Sequence, residues 1–238
     1  MDDVPSHLEN RTIPPAGLRA WKRAQMLFYG LALALLLLVV LGLLLPIHRL
    51  KKSNSPRLRA MTHARQLAFA CKIYAADNNG EFPSGRTEQE VFQKLLDGGY
   101  LPDDSLFWMP NEARTHPLAS QKPNLNKRLD PRENVWAYFS GLTEKSPAAW
   151  PLIADAWIPG TDFSYRQGRK RYGWKSQGNP KSILVRVDMS VDFQQQGSDG
   201  TLRGPRPPSA GEGNILKPDP ANGWLAGATP ILPVAAGK

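Results

Sequence analysis

Between Met26 and Ile47 the chain runs twenty-two residues without a charge, eleven of them leucine. A helix rises ~1.5 Å per residue, so the run covers about 33 Å, enough to cross a hydrocarbon core of ~30 Å. Lys22 and Arg23 precede it, and Arg49, Lys51 and Lys52 follow it, where lipid headgroups would receive them. A helix on a soluble surface needs one apolar stripe, and this one is apolar all round. The run predicts a transmembrane helix over residues 26–47. It is longer than a signal-peptide core and no Ala-x-Ala-like site follows it, so the span is expected to stay attached.

Net charge is +9, with thirty Lys/Arg against twenty-one Asp/Glu. Most of the excess lies beside the span: residues 48–59 contain Arg49, Lys51, Lys52, Arg57 and Arg59 and no acid. Anionic lipid attracts such a cluster. The remainder is close to neutral, which makes nucleic acid an unlikely partner. Cys71 is the single cysteine, so no intramolecular disulfide can form. Orientation stays open. Four Lys/Arg precede the span and six lie between Arg49 and Arg65, so the flank count leans toward a cytoplasmic C-terminal part.

Residues 1–25, with Pro5, Pro14 and Pro15, read as a flexible head, and residues 48–56 as a basic linker, the helix being interrupted at Pro46 and at Ser53-Asn54-Ser55-Pro56. From Arg57 the period becomes helical, with Ala60, Ala64, Leu67, Cys71 and Tyr74 on one stripe that Met61, Ala68 and Ala75 widen. Asn79-Gly80 supplies a left-handed cap and Pro83 prevents resumption. Thr87 and Glu90 form a capping-box pair for a second helix, whose buried face is Val91, Phe92, Leu95 and Leu96 and which Gly98-Gly99 ends. Residues 110–132 read as a long polar loop. Val135–Phe139, Leu152–Asp155 and Ser182–Val187 then read as strands, and Asp188-Met189-Ser190 turns the last into Val191–Gln194. From Arg203 to Lys238, seven prolines and six glycines predict a disordered tail, taken as residues 201–238.

The segment AFACKIYAADNNGEFPSGRTEQEVFQKLLDGGYLPD, residues 68–103, resembles type II secretion major pseudopilins and related prepilin-like proteins. There a helix closes with a Tyr, an Asp-Asn-Gly turn and an aromatic-Pro pair. Here these are Tyr74, Asp77-Asn78-Asn79-Gly80 and Phe82-Pro83, followed by the helix Glu88–Leu96 and Gly99-Tyr100-Leu101-Pro102. ENVWAYFSGL (133–142), WPLIADAW (150–157) and ILVRVDMSVDF (183–193) are similar to the family's strands. The resemblance implies an α+β fold over residues 57–200: a long amphipathic helix packed on an antiparallel β-sheet, pilin-like, outside a bacterial inner membrane. It implies a non-enzymatic structural or interaction protein of the cell envelope, associated with a type II secretion-like system, whose partners are the membrane and other envelope or secretion-system proteins. Prepilins carry a basic leader ending in Gly and then Phe-Thr-Leu-Ile-Glu at the start of the span. This span holds no acid, and Leu31-Ala32-Leu33-Ala34-Leu35 follows Gly30. The expected span is therefore a permanent anchor rather than a filament stem.

Chemistry-bearing patterns are sparse. Counted as an EF-hand from Asp77, position six is Phe82, where glycine is required, so a helix-end turn is expected. The family's calcium site lies in a late loop. Asp188, Asp192 and Asp199 are the acids there, and they are equally turn and solvent-face residues. No cofactor is otherwise expected. His7, His48, His63 and His116 fall in no metal-ligand spacing, and no motif places a nucleophile beside a base, so an enzyme is not expected. The stretch 165–175 (YRQGRKRYGWK) combines bases and rings without an acid. Arg166, Arg169, Lys170, Arg171, Trp174 and Lys175 would line a polyanion groove if the rings faced outward, or a solvated loop if they did not. Membrane tethering of a polyanion-binding module is thus the alternative function.

Overall fold

A computed structural model describes residues 15–109, 114–115, 122–174, 178–205 and 212–233. The chain divides into two compact units, Met1–Ser53 and Asn54–Lys238, and helix α1 (Pro15–Asp77) contributes to both.

In the first unit, α1 contains Trp21–Gly42, a stretch of mean hydropathy 2.4 that is long and apolar enough to cross a membrane. Every side chain from Met26 to Gly42 is exposed. A bare apolar surface of this length suits lipid. The helix begins at Pro15, well inside the head expected to be flexible; residues 1–14 of that head lie outside the described residues. Proline is at home in the first turn, where its missing N–H has no helical acceptor anyway. The helix also runs through Pro46 and Pro56 instead of breaking over 48–56. One proline deletes one i→i−4 bond, and the turns on either side can carry the helix past it.

The second unit is α+β. The strands are β1 (Arg114–Thr115), β2 (Trp136–Ser140), β3 (Pro151–Asp155), β4 (Arg166–Gln167), β5 (Lys170–Arg171) and β6 (Gly173–Trp174). They continue with β7 (Lys181–Arg186), β8 (Val191–Gln195), β9 (Arg203–Pro205), β10 (Glu212–Asn214) and β11 (Thr229–Ile231). The main sheet runs β1-β6-β7-β3-β2-β11, with β8 also on β7, and all its pairs are antiparallel. β4 pairs with β5 and β9 with β10 as separate ribbons.

Most of the α1 stripe expected from the period is buried: Ala60, Ala64, Leu67, Ala68, Cys71 and Ala75 are all at 3% exposure or less and share one core with β2, β3 and β7, with Met61 and Tyr74 partly buried against it. Small residues let that core approach the helix backbone closely. Asn79 (φ 57°) and Gly80 (φ 82°) terminate α1, and the Gly80 N–H donates to Ala75 O at 2.8 Å. Helix α2 (Glu88–Asp97) starts at Thr87, whose hydroxyl accepts from the Glu90 N–H at 3.2 Å. Glu90 returns its carboxylate to the Arg86 N–H at 2.8 Å, one residue before the position a reciprocal capping box uses. Phe92 carries α2 onto the sheet, with its ring 4.9 Å from Phe107 and 5.6 Å from Tyr138.

The tail departs most from expectation. Leu202, Ile215, Leu216, Trp224, Leu225 and Ile231 are buried in the main core, and β11 extends the sheet along β2. Pro220, Gly223 and Gly227 stand at turns between short apolar steps. Pro230 lies on the edge strand, where a missing N–H is tolerated. Gly141 explains how the edge fits: its φ is 85°, and a Cβ there would lie 2.7 Å from Gly227 O. Residues 206–211 and 234–238 of the tail lie outside the described residues.

Candidate interaction surfaces

Eleven residues complete three helical turns to within ~20°, and four residues complete one turn to within ~40°. Leu58, Phe69 and Ile73 therefore share a face of α1 opposite its buried stripe, and they are 65%, 50% and 55% exposed. Arg65 and Lys72 are exposed at neighbouring positions on that face. The Thr62 hydroxyl is turned inward, donating to Leu58 O at 2.9 Å. The face is thus apolar with a basic margin, on a helix whose other side is fixed by the core. At its N-terminal end the Arg57 guanidinium lies 4.5 Å from the centre of the Phe193 ring on β8, and Lys181 Nζ lies 5.4 Å from the same ring. His63 is half-buried. Burial and the nearby Arg59 hold its imidazole below the ordinary range, opposed by the backbone carbonyls of Leu106 and Trp108.

The basic stretch forms a hairpin with Arg166 opposite Arg171 and Gln167 opposite Lys170. Gly168 turns it with φ 59°. The Arg166 guanidinium is committed to its own surroundings, donating to Gly168 O at 2.7 Å and Ser198 O at 3.1 Å. Arg171 donates to Asn179 Oδ1. Arg169 and Lys170 at the tip are exposed, and among the described residues neither forms a salt bridge.

Two of the three rings, Tyr165 and Trp174, do not accompany these cations outward, while Tyr172 is half-buried. Trp174 is 1% exposed, and its Nε1–H donates to Asp155 Oδ2 at 2.9 Å. The Tyr165 hydroxyl donates to Asp155 O at 2.6 Å, and Ile183 N–H donates to Asp155 Oδ2 at 2.9 Å. Asp155, at the end of β3, thus gathers the inner side of the hairpin. Trp174 belongs to the core and is unavailable as a stacking platform, which corrects its place among the polyanion-binding residues. Indole burial removes a large apolar surface from water, and Asp155 satisfies its single donor. Lys175 lies outside the described residues.

The three late-loop aspartates are each used locally. Asp188 caps the β7–β8 turn, accepting from the Ser190 N–H at 2.9 Å and hydroxyl at 2.6 Å. Burial raises its carboxyl, but the Ser190 bonds and the Arg186 charge outweigh that and leave it below its ordinary value. Asp192 pairs with Arg186. Asp199 accepts from the Thr201 N–H at 3.0 Å and hydroxyl at 2.8 Å and pairs with Arg203 at 2.9 Å. Those partners, led by the Thr201 N–H, hold its carboxyl well below the usual range. Among the described residues no three His, Cys, Asp or Glu side chains converge on a metal position, so Asp188, Asp192 and Asp199 form no shared calcium site.

A feature that sequence reasoning passed over lies elsewhere: the fully buried carboxylates Asp104 and Glu133. Asp104 follows the Tyr100-Leu101-Pro102 turn and Glu133 opens the stretch read as similar to a strand, twenty-nine positions apart, and only the folded chain brings them together. Compared with protein-family models, curated proteins and solved structures, the chain matches none.

Proposed function

We propose that this chain is a membrane-anchored, non-enzymatic, pseudopilin-like interaction protein of the bacterial cell envelope, working beside a type II secretion-like system. The observation that carries the reading is α1 itself. It contains a span apolar on every side, and its later part keeps Leu58, Phe69 and Ile73 exposed while its opposite stripe enters a sheet core. Such a face fits a protein that meets other helices at a membrane. The sequence resemblance over residues 68–103 supplies the family and the expected location of the α+β unit outside the cytoplasm.

Anchoring is tested by the double substitution Leu36→Arg and Leu37→Arg. Each arginine near the centre of a span costs about 3 kcal/mol on insertion scales. The wild-type chain should stay with membranes through alkaline extraction, and the double variant should be released. Release of the wild type as well would refute the anchor.

The second reading is a tethered polyanion binder, favoured by the exposure of Arg169 and Lys170 at the hairpin tip and by the flank count. Binding would then weaken steeply with salt and vanish in the Arg169→Ala, Lys170→Ala, Arg171→Ala variant. Heparin that fails to bind at low salt would remove it.

A further inference from the structure

Asp104 opens the short 3-10 turn Asp104–Phe107 that follows α2. Its backbone N–H is held, donating to Asn126 O at 3.0 Å. Its carboxylate is fully buried, and neither oxygen accepts a hydrogen bond. It faces Glu133, also fully buried. Glu133 Oε1 accepts from Asn124 Nδ2 at 3.0 Å, and Oε2 accepts from the Asp130 N–H at 3.0 Å. Asp130 is neutralised by Arg132 at 2.8 Å. No such cation reaches Asp104 among the described residues.

Two carboxylates enclosed together need a proton or a metal ion to offset their charge. Burial is the foremost cause lifting the Glu133 carboxyl above its ordinary value. The Asp130 N–H opposes that rise, and the charges of Asp104 and Asp130 add to it, as does the hydrogen bond that Glu133, once protonated, would donate to Asp104. The acceptors here are hard oxygens, four from the two carboxylates, of which Glu133 Oε1 and Oε2 also accept from Asn124 Nδ2–H and the Asp130 N–H. Their summed charge matches a divalent ion, and oxygen-only donors select the calcium and magnesium class over zinc.

We propose that Asp104 and Glu133 bind a hard divalent cation of the calcium class, which fastens the 122–135 segment to the turn after α2. The rest of the shell comes from backbone carbonyls and water. The ion is structural, because both carboxylates are closed off from solvent. It lies apart from the late-loop aspartates, which are spent on their own turns.

The test uses the full chain in detergent at pH ~7.5, melted in EDTA and in calcium chloride or magnesium chloride, with calorimetric titration of calcium beside it. At a hundredfold excess over Kd, the cation should raise the midpoint by roughly 5–10 °C. Asp104→Asn and Glu133→Gln should each abolish most of that rise. In EDTA, Asp104→Asn should melt no lower than wild type, since it removes a repulsion and leaves no ion to lose. If Asp104→Asn does not fold, Glu133→Gln still reports the loss of titrated heat. Absence of any cation effect on the wild type would overturn the proposal, as would an effect that survives in both variants. A wild type that ignores cations but gains stability as pH falls would show a shared proton instead, and that also overturns it.

Discussion

Trp224→Ala perturbs the part of the chain whose composition argues most strongly for disorder. In the fold Trp224 is 1% exposed, its ring centre is 6.3 Å from that of Trp150, and its Nε1–H donates to Ile215 O at 3.1 Å. Truncating a buried tryptophan to alanine costs about 3–5 kcal/mol, because the transfer term and the cavity term add. For a domain of this size, 1 kcal/mol moves the midpoint by roughly 2–4 °C. The expected loss is therefore roughly 6–20 °C. Near-UV circular dichroism on the detergent-solubilised full chain reads it, since that signal follows tertiary packing and not the long helix. A tail that is a solvated linker would give the response of a surface change, within about 0.5 kcal/mol. A midpoint lowered by less than ~2 °C would refute the packing of residues 215–231 on the core.

Asp155→Ala should destabilise by about 2–6 kcal/mol, since it leaves the Trp174 Nε1–H and the Ile183 N–H buried without an acceptor at ~1–3 kcal/mol each; urea unfolding with an unchanged m-value checks it. Acid stability should fall through two surface aspartates. The Arg132 side chain and N–H hold the Asp130 carboxyl at about 2, and Asp199 is also held low. A carboxyl lowered by folding binds its proton more tightly in the unfolded chain. Its contribution is therefore full above the ordinary value of ~4 and is lost as pH falls toward ~2. The variant Asp130→Asn, Asp199→Asn should show a flatter midpoint-against-pH curve over that window, and an unchanged slope would contradict the assignment.

Much of the second unit was legible because its signals are local. The stripe Ala60–Ala64–Leu67–Cys71, the Asn79-Gly80 stop, the Thr87 cap and the Asp188-Met189-Ser190 hairpin each lie within a few residues of what they determine, and each stands where the pattern put it. Four features were not legible, for different reasons. The tail's apolar residues are spaced by turn formers, so no period links Leu202, Leu216 and Trp224; only the free edge of β2 gives them a place. The direction of Trp174 stayed open in the sequence because it neighbours bases, whereas it is set by Asp155, nineteen residues away. The Asp104–Glu133 pair is invisible to spacing because two unrelated turns assemble it. The helix through Pro46 and Pro56 departs from a rule about single prolines that does not by itself decide where a long helix ends.

The location of the α+β unit separates the proposed envelope protein from its alternative, and one cysteine decides it. Cys71 is fully buried and burial pushes its thiol far up, so it should stay silent toward maleimide in the folded chain. Lys127 is exposed in the loop between the 3-10 turn and β2, and Lys127→Cys puts a reactive thiol there. The measurement is labelling of Lys127→Cys in living cells with a maleimide that cannot cross the cytoplasmic membrane. Labelling before lysis is the predicted result. Labelling only after lysis would place the unit in the cytoplasm and contradict the account.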